Sequence, residues 1–117
     1  MSSRFAKAMR LMRRRDPQAR EDGFQLLLPA AAEHLDELMT AFADETHDHG
    51  LRCWLLELIG EARSPQALSL LESQLHGQDH ALRMWAVSGL KQLDTKQARR
   101  ALWSWSQNSP ELAADDS

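Results

Sequence analysis

Asp48-His49-Gly50-Leu51-Arg52-Cys53-Trp54 and Asp79-His80-Ala81-Leu82-Arg83-Met84-Trp85 follow one pattern, and Asp16-Pro17-Gln18-Ala19-Arg20 is a shorter, earlier copy of it. The three aspartates stand 32 and 31 residues apart, a period at which a repeat is a pair of helices rather than a propeller blade or a coiled-coil heptad. A lone helix pair cannot cover its own apolar face, so such units stack side by side into a continuous core, and about three are needed for stability. This spacing predicts a stack of helical hairpins. It points to binding rather than to chemistry.

Outward from these copies, every segment between turn signals places apolar residues three and four apart, and none alternates apolar and polar over a strand's length. The fold class expected is therefore all-α. A first helix is predicted from about Ser3 to Arg14, with Phe5, Ala8, Met9 and Met12 on one face and Arg4, Lys7, Arg10 and Arg14 on the other. Asp16-Pro17 opens a second, since Asp caps a helix start and Pro suits the first turn, where its missing N–H leaves no gap. Pro29 interrupts that helix after Leu28, and a third is expected from Ala30, burying Leu35, Leu38, Met39 and Phe42. The fourth runs from Asp48 to Ile59 and is expected to end on Gly60 in the left-handed conformation. Ser64-Pro65 begins a fifth that runs to Gly77, Asp79 a sixth that runs to Leu93, and Asp94-Thr95 caps a last helix through Trp105.

These residues resemble the HEAT repeats, in particular the short bacterial HEAT-like type also found in phycobilin lyases. In that family an Asp in the turn, often followed by Pro, precedes an aliphatic-Arg pair that opens the second helix of each unit. The matching positions are Asp16, Pro17, Ala19 and Arg20 with Gly23, Phe24, Leu26 and Leu27; Asp48, Leu51 and Arg52 with Leu55, Leu56, Leu58 and Ile59; and Asp79, Leu82 and Arg83 with Ala86, Val87, Gly89 and Leu90. The match covers about residues 16–105; Pro17 is not repeated, and Asp22 stands in the column that holds Trp54 and Trp85. The resemblance implies a short right-handed α-solenoid of about three hairpins whose second helices line a concave wall. One domain is expected over residues 1–107 with a basic capping helix at its N-terminal end, and 108–117, with Pro110 and no large apolar cluster, reads as a disordered acidic tail.

A chain of 117 residues suffices for one domain with a sizeable core. No run of about 18 apolar residues is present to span a bilayer, and the N-terminal arginines do not suit a signal peptide, so a cytoplasmic location and no membrane partner are expected. Cys53 is the single cysteine, which rules out an intrachain disulfide and a Cys-based zinc site. Charge is unevenly spread. Residues 1–20 hold seven basic side chains against Asp16 alone, +6, so the remainder of this −3 chain carries −9. A basic end abuts an acidic body, and a charged partner would be oriented by that field.

The repeated Asp and Arg read as a helix cap and its ion-pair partner, one turn on or in the neighbouring unit, rather than as acid-base groups. Trp54 and Trp85 lie off the centre of their helices' apolar stripes. The resemblance would set them as a short aromatic ladder on the concave wall, flanked by Asp22, Gln25, Cys53, Glu57 and Ser88. Asp22, Gln25, Trp54, Glu57, Trp85 and Ser88 are thus the candidate partner-binding residues, aromatic anchors being what interfaces use as hot spots. The alternative is that both indoles fill the seam between units. His47, His49, His76 and His80, with Asp44, Glu45 and Asp48, fall at two turns one repeat apart and form a weak metal candidate. They read as solvated loop-edge side chains, and His34 as an exposed one.

No phosphate loop, His-Glu-x-x-His or nucleophile elbow occurs, and Cys53 would need an approaching histidine to act. The expectation is a non-catalytic protein-binding module without cofactor or metal, whose partner presents a basic surface. A toxin-neutralising immunity protein or an adaptor fits that description by analogy of fold and charge. The competing readings are nucleic-acid binding through Arg4, Lys7, Arg10, Arg13, Arg14 and Arg15, which the −9 body would oppose, and a lyase- or chaperone-like role that the family resemblance permits.

Overall fold

A computed structural model describes residues 3–108, and all the regular structure in them is helical. The helices are α1 (Ser3–Met12), α2 (Pro17–Leu27), α3 (Leu35–Asp44), α4 (His49–Glu61), α5 (Leu68–Leu75), α6 (His80–Leu93) and α7 (Lys96–Asn108). The tail expected over 108–117 lies outside the described residues beyond Asn108, which closes α7. No helix among the described residues is long and apolar enough to cross a membrane.

The repeated aspartates all cap. Asp48 and Asp79 each accept the N–H three residues on, from Leu51 and Leu82, both at 3.0 Å, while Asp16 accepts from Gln18 at 3.2 Å, two residues on. The shorter reach in the first copy goes with Pro17 at the opening position of α2. Thr95 caps α7, its Oγ1 accepting from the Ala98 N–H at 3.1 Å; Asp94 instead closes α6 in the left-handed conformation, with φ of 50°.

Three boundaries differ from the expectation for physical reasons. The chain does not enter α3 at Ala30: a 3₁₀ turn over Leu28–Ala30, forced by Pro29, and a further turn intervene before Leu35. A second 3₁₀ turn, Pro65–Ala67, stands between the Ser64 cap and α5. Gly60 does not end α4 in the left-handed region. It sits inside the helix, and Arg63, with φ of 49°, takes that conformation.

Gly60 serves packing instead. A Cβ built on it would come within 2.9 Å of the Gly89 Cα, so the two glycines let the backbones of α4 and α6 meet. Gly23 does the same where α2 crosses α1, since a Cβ there would stand 2.6 Å from the Ala8 carbonyl oxygen. The packing that follows is pairwise: α1 on α2, α3 on α4, α5 on α6, with α4 lying along α6 and α7 against α6 and α5. One apolar core runs from Phe5 through Leu38, Leu55, Leu71 and Leu90 to Trp105, in a body measuring 42 × 26 × 22 Å.

Candidate functional site

Trp54 and Trp85 occupy the same register on two helices that pack together, α4 and α6, and both are half-buried against the core. The Trp54 ring lies 5.2 Å from that of Phe24, tilted by 55°, so one side of the indole closes the seam between α2 and α4. Its other side borders a groove of about 320 Å³ with Met12, Pro17, Arg20, Glu21, Gly50 and Leu51. The indole therefore has both a packing side and an open side.

The six candidate partner-binding residues fall in separate places. Glu57 follows Trp54 by one helical turn and is half-buried; burial first, then the charges of Glu61 and Glu21, push its carboxyl above the usual range. The like charges of Glu61 and Glu21 thus bear on Glu57, while Arg20 lines the groove beside Trp54 together with Glu21. Asp22 and Gln25 stand apart from Trp54, in a hollow between α1 and α2 lined by Lys7, Leu11 and Leu26. The residue that accompanies Trp54 is Glu21, one position earlier. Asp22, in the sequence column of the two tryptophans, faces the α1–α2 hollow instead. Ser88 borders a shallow hollow on α6 with Met84, Val87, Lys91 and Gln92.

Arg13, one of the six candidate phosphate contacts, is engaged elsewhere: its Nη1 donates to Glu45 Oε1 at 2.8 Å. Glu45 also accepts the backbone N–H groups of His47 at 3.0 Å and Asp48 at 2.9 Å. These backbone donors, followed by Arg13, hold its carboxyl down to about 2. A buried carboxylate thus ties the α3–α4 turn to the end of α1. Arg4, Lys7, Arg10, Arg14 and Arg15 are exposed.

At the histidine edge, His49 Nε2 meets Asp79 Oδ2 at 2.8 Å, linking α4 to the cap of α6, and Arg20 Nη2 stands 3.9 Å from Asp48 Oδ2. The Asp of the second and third copies therefore each meet a side chain from the unit before, the Arg20 guanidinium at Asp48 and the His49 imidazole at Asp79. Arg20 and Arg83 also donate to carbonyls upstream, of Met12 and Gly77. Arg52 does otherwise, its guanidinium 4.1 Å over the Phe42 ring. His34 is buried rather than exposed. Its Nδ1 meets Glu37 Oε1 at 2.8 Å and its ring lies 5.9 Å from that of Phe5, because the turn before α3 folds it inward.

Cys53 Sγ lies 3.9 Å and 4.0 Å from the two ring nitrogens of His49, so the imidazole faces the sulfur broadside rather than aiming a lone pair at it. Burial, and then the charge of Asp79, push the thiol up, the reverse of what a nucleophile needs. Among the described residues no three His, Cys, Asp or Glu side chains converge as a metal site would require.

A further groove, of about 420 Å³, was not anticipated. It lies between α1 and α3, with Phe5, Met9 and Ala41 as floor and Asp36, Glu37, Thr40, Asp44 and Arg13 around it. Its walls come from different hairpins, so no local pattern marks it; the one sequence trace is the polar run Asp36, Thr40, Asp44 at a spacing of four. Compared with protein-family models, curated proteins and solved structures, the chain matches none.

Proposed function

We propose that this protein is a non-catalytic protein-binding module: a short HEAT-like α-solenoid of about three hairpins whose concave wall, formed by α2, α4 and α6, docks a partner with a basic surface. The solenoid reading is supported by the order of packing, in which each hairpin closes on itself and α4 lies along α6 at the Gly60–Gly89 crossing. The binding reading rests on one observation above all. Two indoles repeat at the same register on adjacent helices, each left half-open, with Glu21 and Arg20 in the groove beside the first and Glu57 one turn on, its carboxyl pushed up by burial and by the charges of Glu61 and Glu21.

A half-buried indole offers a large rigid anchor, and carboxylates held in partial burial gain most from an incoming cation. A bacterial immunity protein that covers the basic active site of a toxin, or an adaptor, would use such a face. Nucleic acid is the second reading: five of the six N-terminal cations are exposed, but the −9 carried by residues 21–117 opposes a polyanion.

The test is a photo-crosslinking side chain placed at Ser88, on the proposed wall, and at Ser69, exposed on α5, each in native host cells. A single protein captured from Ser88 and not from Ser69, and lost when Trp54→Ala is added, is the expected result. Trp54→Ala is expected to weaken that complex at least tenfold, about 1.4 kcal/mol or more, while the circular-dichroism helix signal persists. Equal capture from both positions, or a Trp54→Ala protein that unfolds without a change in affinity for its residual folded fraction, would leave the indole as seam packing only.

A further inference from the structure

The last helix carries what the groove between α1 and α3 lacks. Trp103 on α7 is 66% exposed, the large apolar side chain left most open among the described residues. Lys96, Arg99 and Arg100 precede it by seven, four and three positions, so all four share the outward stripe of α7, opposite the buried Ala98 and Trp105. Arg99 is held by Asp94, at 2.7 Å to its carbonyl and 3.0 Å to its carboxylate. Lys96 and Arg100 are exposed. The stripe is therefore an indole flanked by two cations.

The groove is the reverse: a floor of Phe5, Met9 and Ala41 with the carboxylates of Asp36 and Asp44 exposed at its edge. Arg13, the cation beside it, is already satisfied by Glu45. Simple end-to-end growth of the stack would bring α7 onto α1, and both ends are basic, so Lys96, Arg99 and Arg100 would meet Arg4, Lys7 and Arg10. Residues 109–117, acidic in composition, carry the wrong sign for the groove.

We propose that the α1–α3 groove takes the Trp103 face of α7 from a second copy of this chain, the indole on the apolar floor and Lys96 and Arg100 against Asp36 and Asp44. The two surfaces are different patches, so the contact is heterologous, and unless its rotation closes a ring it adds further copies rather than stopping at two. A contact of one groove is small, and its dissociation constant belongs on the order of 100 µM.

Sedimentation velocity of the full chain, from about 10 µM to about 1 mM, is expected to show a mass average that rises past the dimer without a plateau. Raising salt from about 0.05 M to about 0.5 M should weaken association several-fold. The double variant Lys96→Glu/Arg100→Glu and the double variant Asp36→Lys/Asp44→Lys should each remain monomeric, while an equimolar mixture associates, because each supplies the surface that the other has lost. Trp103→Ser should lower association at least tenfold. All these positions are exposed, so unchanged helix content and melting temperature serve as the check on folding. A wild-type chain that stays monomeric at about 1 mM overturns the proposal, as does association that survives Asp36→Lys/Asp44→Lys. So does association abolished by Glu57→Lys but not by the groove variant, which would seat α7 on the concave wall instead.

Discussion

Glu45 shows how much one side chain can decide here. It occupies a turn rich in His and Asp, yet it is the carboxylate that is buried, with three donors around it. A carboxyl whose folded pKa lies below its unfolded value adds stability above the ordinary range and loses it as pH falls; for Glu45 that window runs from 4.5 down to about 2. Wild type should lose stability across that window in urea titrations, and Glu45→Gln should lose less across it, while being about 1–3 kcal/mol weaker at pH 7, since a charged acceptor is removed from paired donors. Equal acid sensitivity of the two proteins would show that Arg13 and the turn do not depend on this charge. Glu57 has the opposite sign. Its carboxyl is pushed up, so its ionised form opposes folding near neutrality, and Glu57→Gln is expected to raise the melting temperature at pH 7 and to weaken partner binding. A residue kept at a loss to stability and a gain to binding is what an interface position looks like; a variant that binds better would contradict that role.

At the scale of elements, the helices are set by their caps and their spacing by their glycines. Asp48 and Asp79 accept the same N–H in the same way, which is why α4 and α6 begin in register and can lie along one another. Where they cross, the Gly60–Gly89 meeting leaves no room for a methyl group on Gly60. Gly60→Ala gains about 1 kcal/mol of helix propensity but forces two backbones apart, an overpacking penalty of about 1–3 kcal/mol. The net expectation is a loss of stability, measured by chemical denaturation, with Gly50→Ala as the control. Gly50 meets only Asp48 Oδ1 at 3.7 Å, so there the substitution should stabilise. A stabilised Gly60→Ala protein would show that α4 and α6 are not in backbone contact.

At the scale of the molecule, charge divides the surface into regions of opposite taste. The N-terminal helix is basic, α2 and α4 place Glu21, Glu57 and Arg20 near Trp54, and α7 is basic around Trp103. If the wall is the partner surface, Arg4→Gln/Lys7→Gln/Arg10→Gln should change affinity for the crosslinked partner less than threefold, whereas Glu57→Lys should lower it at least tenfold, more steeply at low salt than at high. A reversed order, with nucleic acid bound at low salt and released as salt rises, would move the function to the arginine helix.

Much of this was legible in the chain because it is local. The three Asp-x-x-Leu/Ala-Arg copies set helix starts through side chains reaching two or three residues ahead, and apolar spacing set which face of each helix is buried; both act within a few residues. The α3 entry and the fate of Gly60 escaped for the same reason in reverse. Whether a glycine ends a helix or admits a neighbour depends on a backbone 29 residues away at Gly89. The shared register of Trp54 and Trp85 was visible in the chain, but that Glu21 borders the Trp54 groove while Asp22 lies in the α1–α2 hollow emerged only from the packing. The burial of His34 and Glu45, the pairing that removes Arg13 from the basic face and the groove between α1 and α3 arise where different hairpins meet. Helix identity is a short-range property of residue order, and so the sequence alone determined it. Which charges are neutralised and which hollows stay open depend on distances between elements far apart in the chain, and only the tertiary structure decided them.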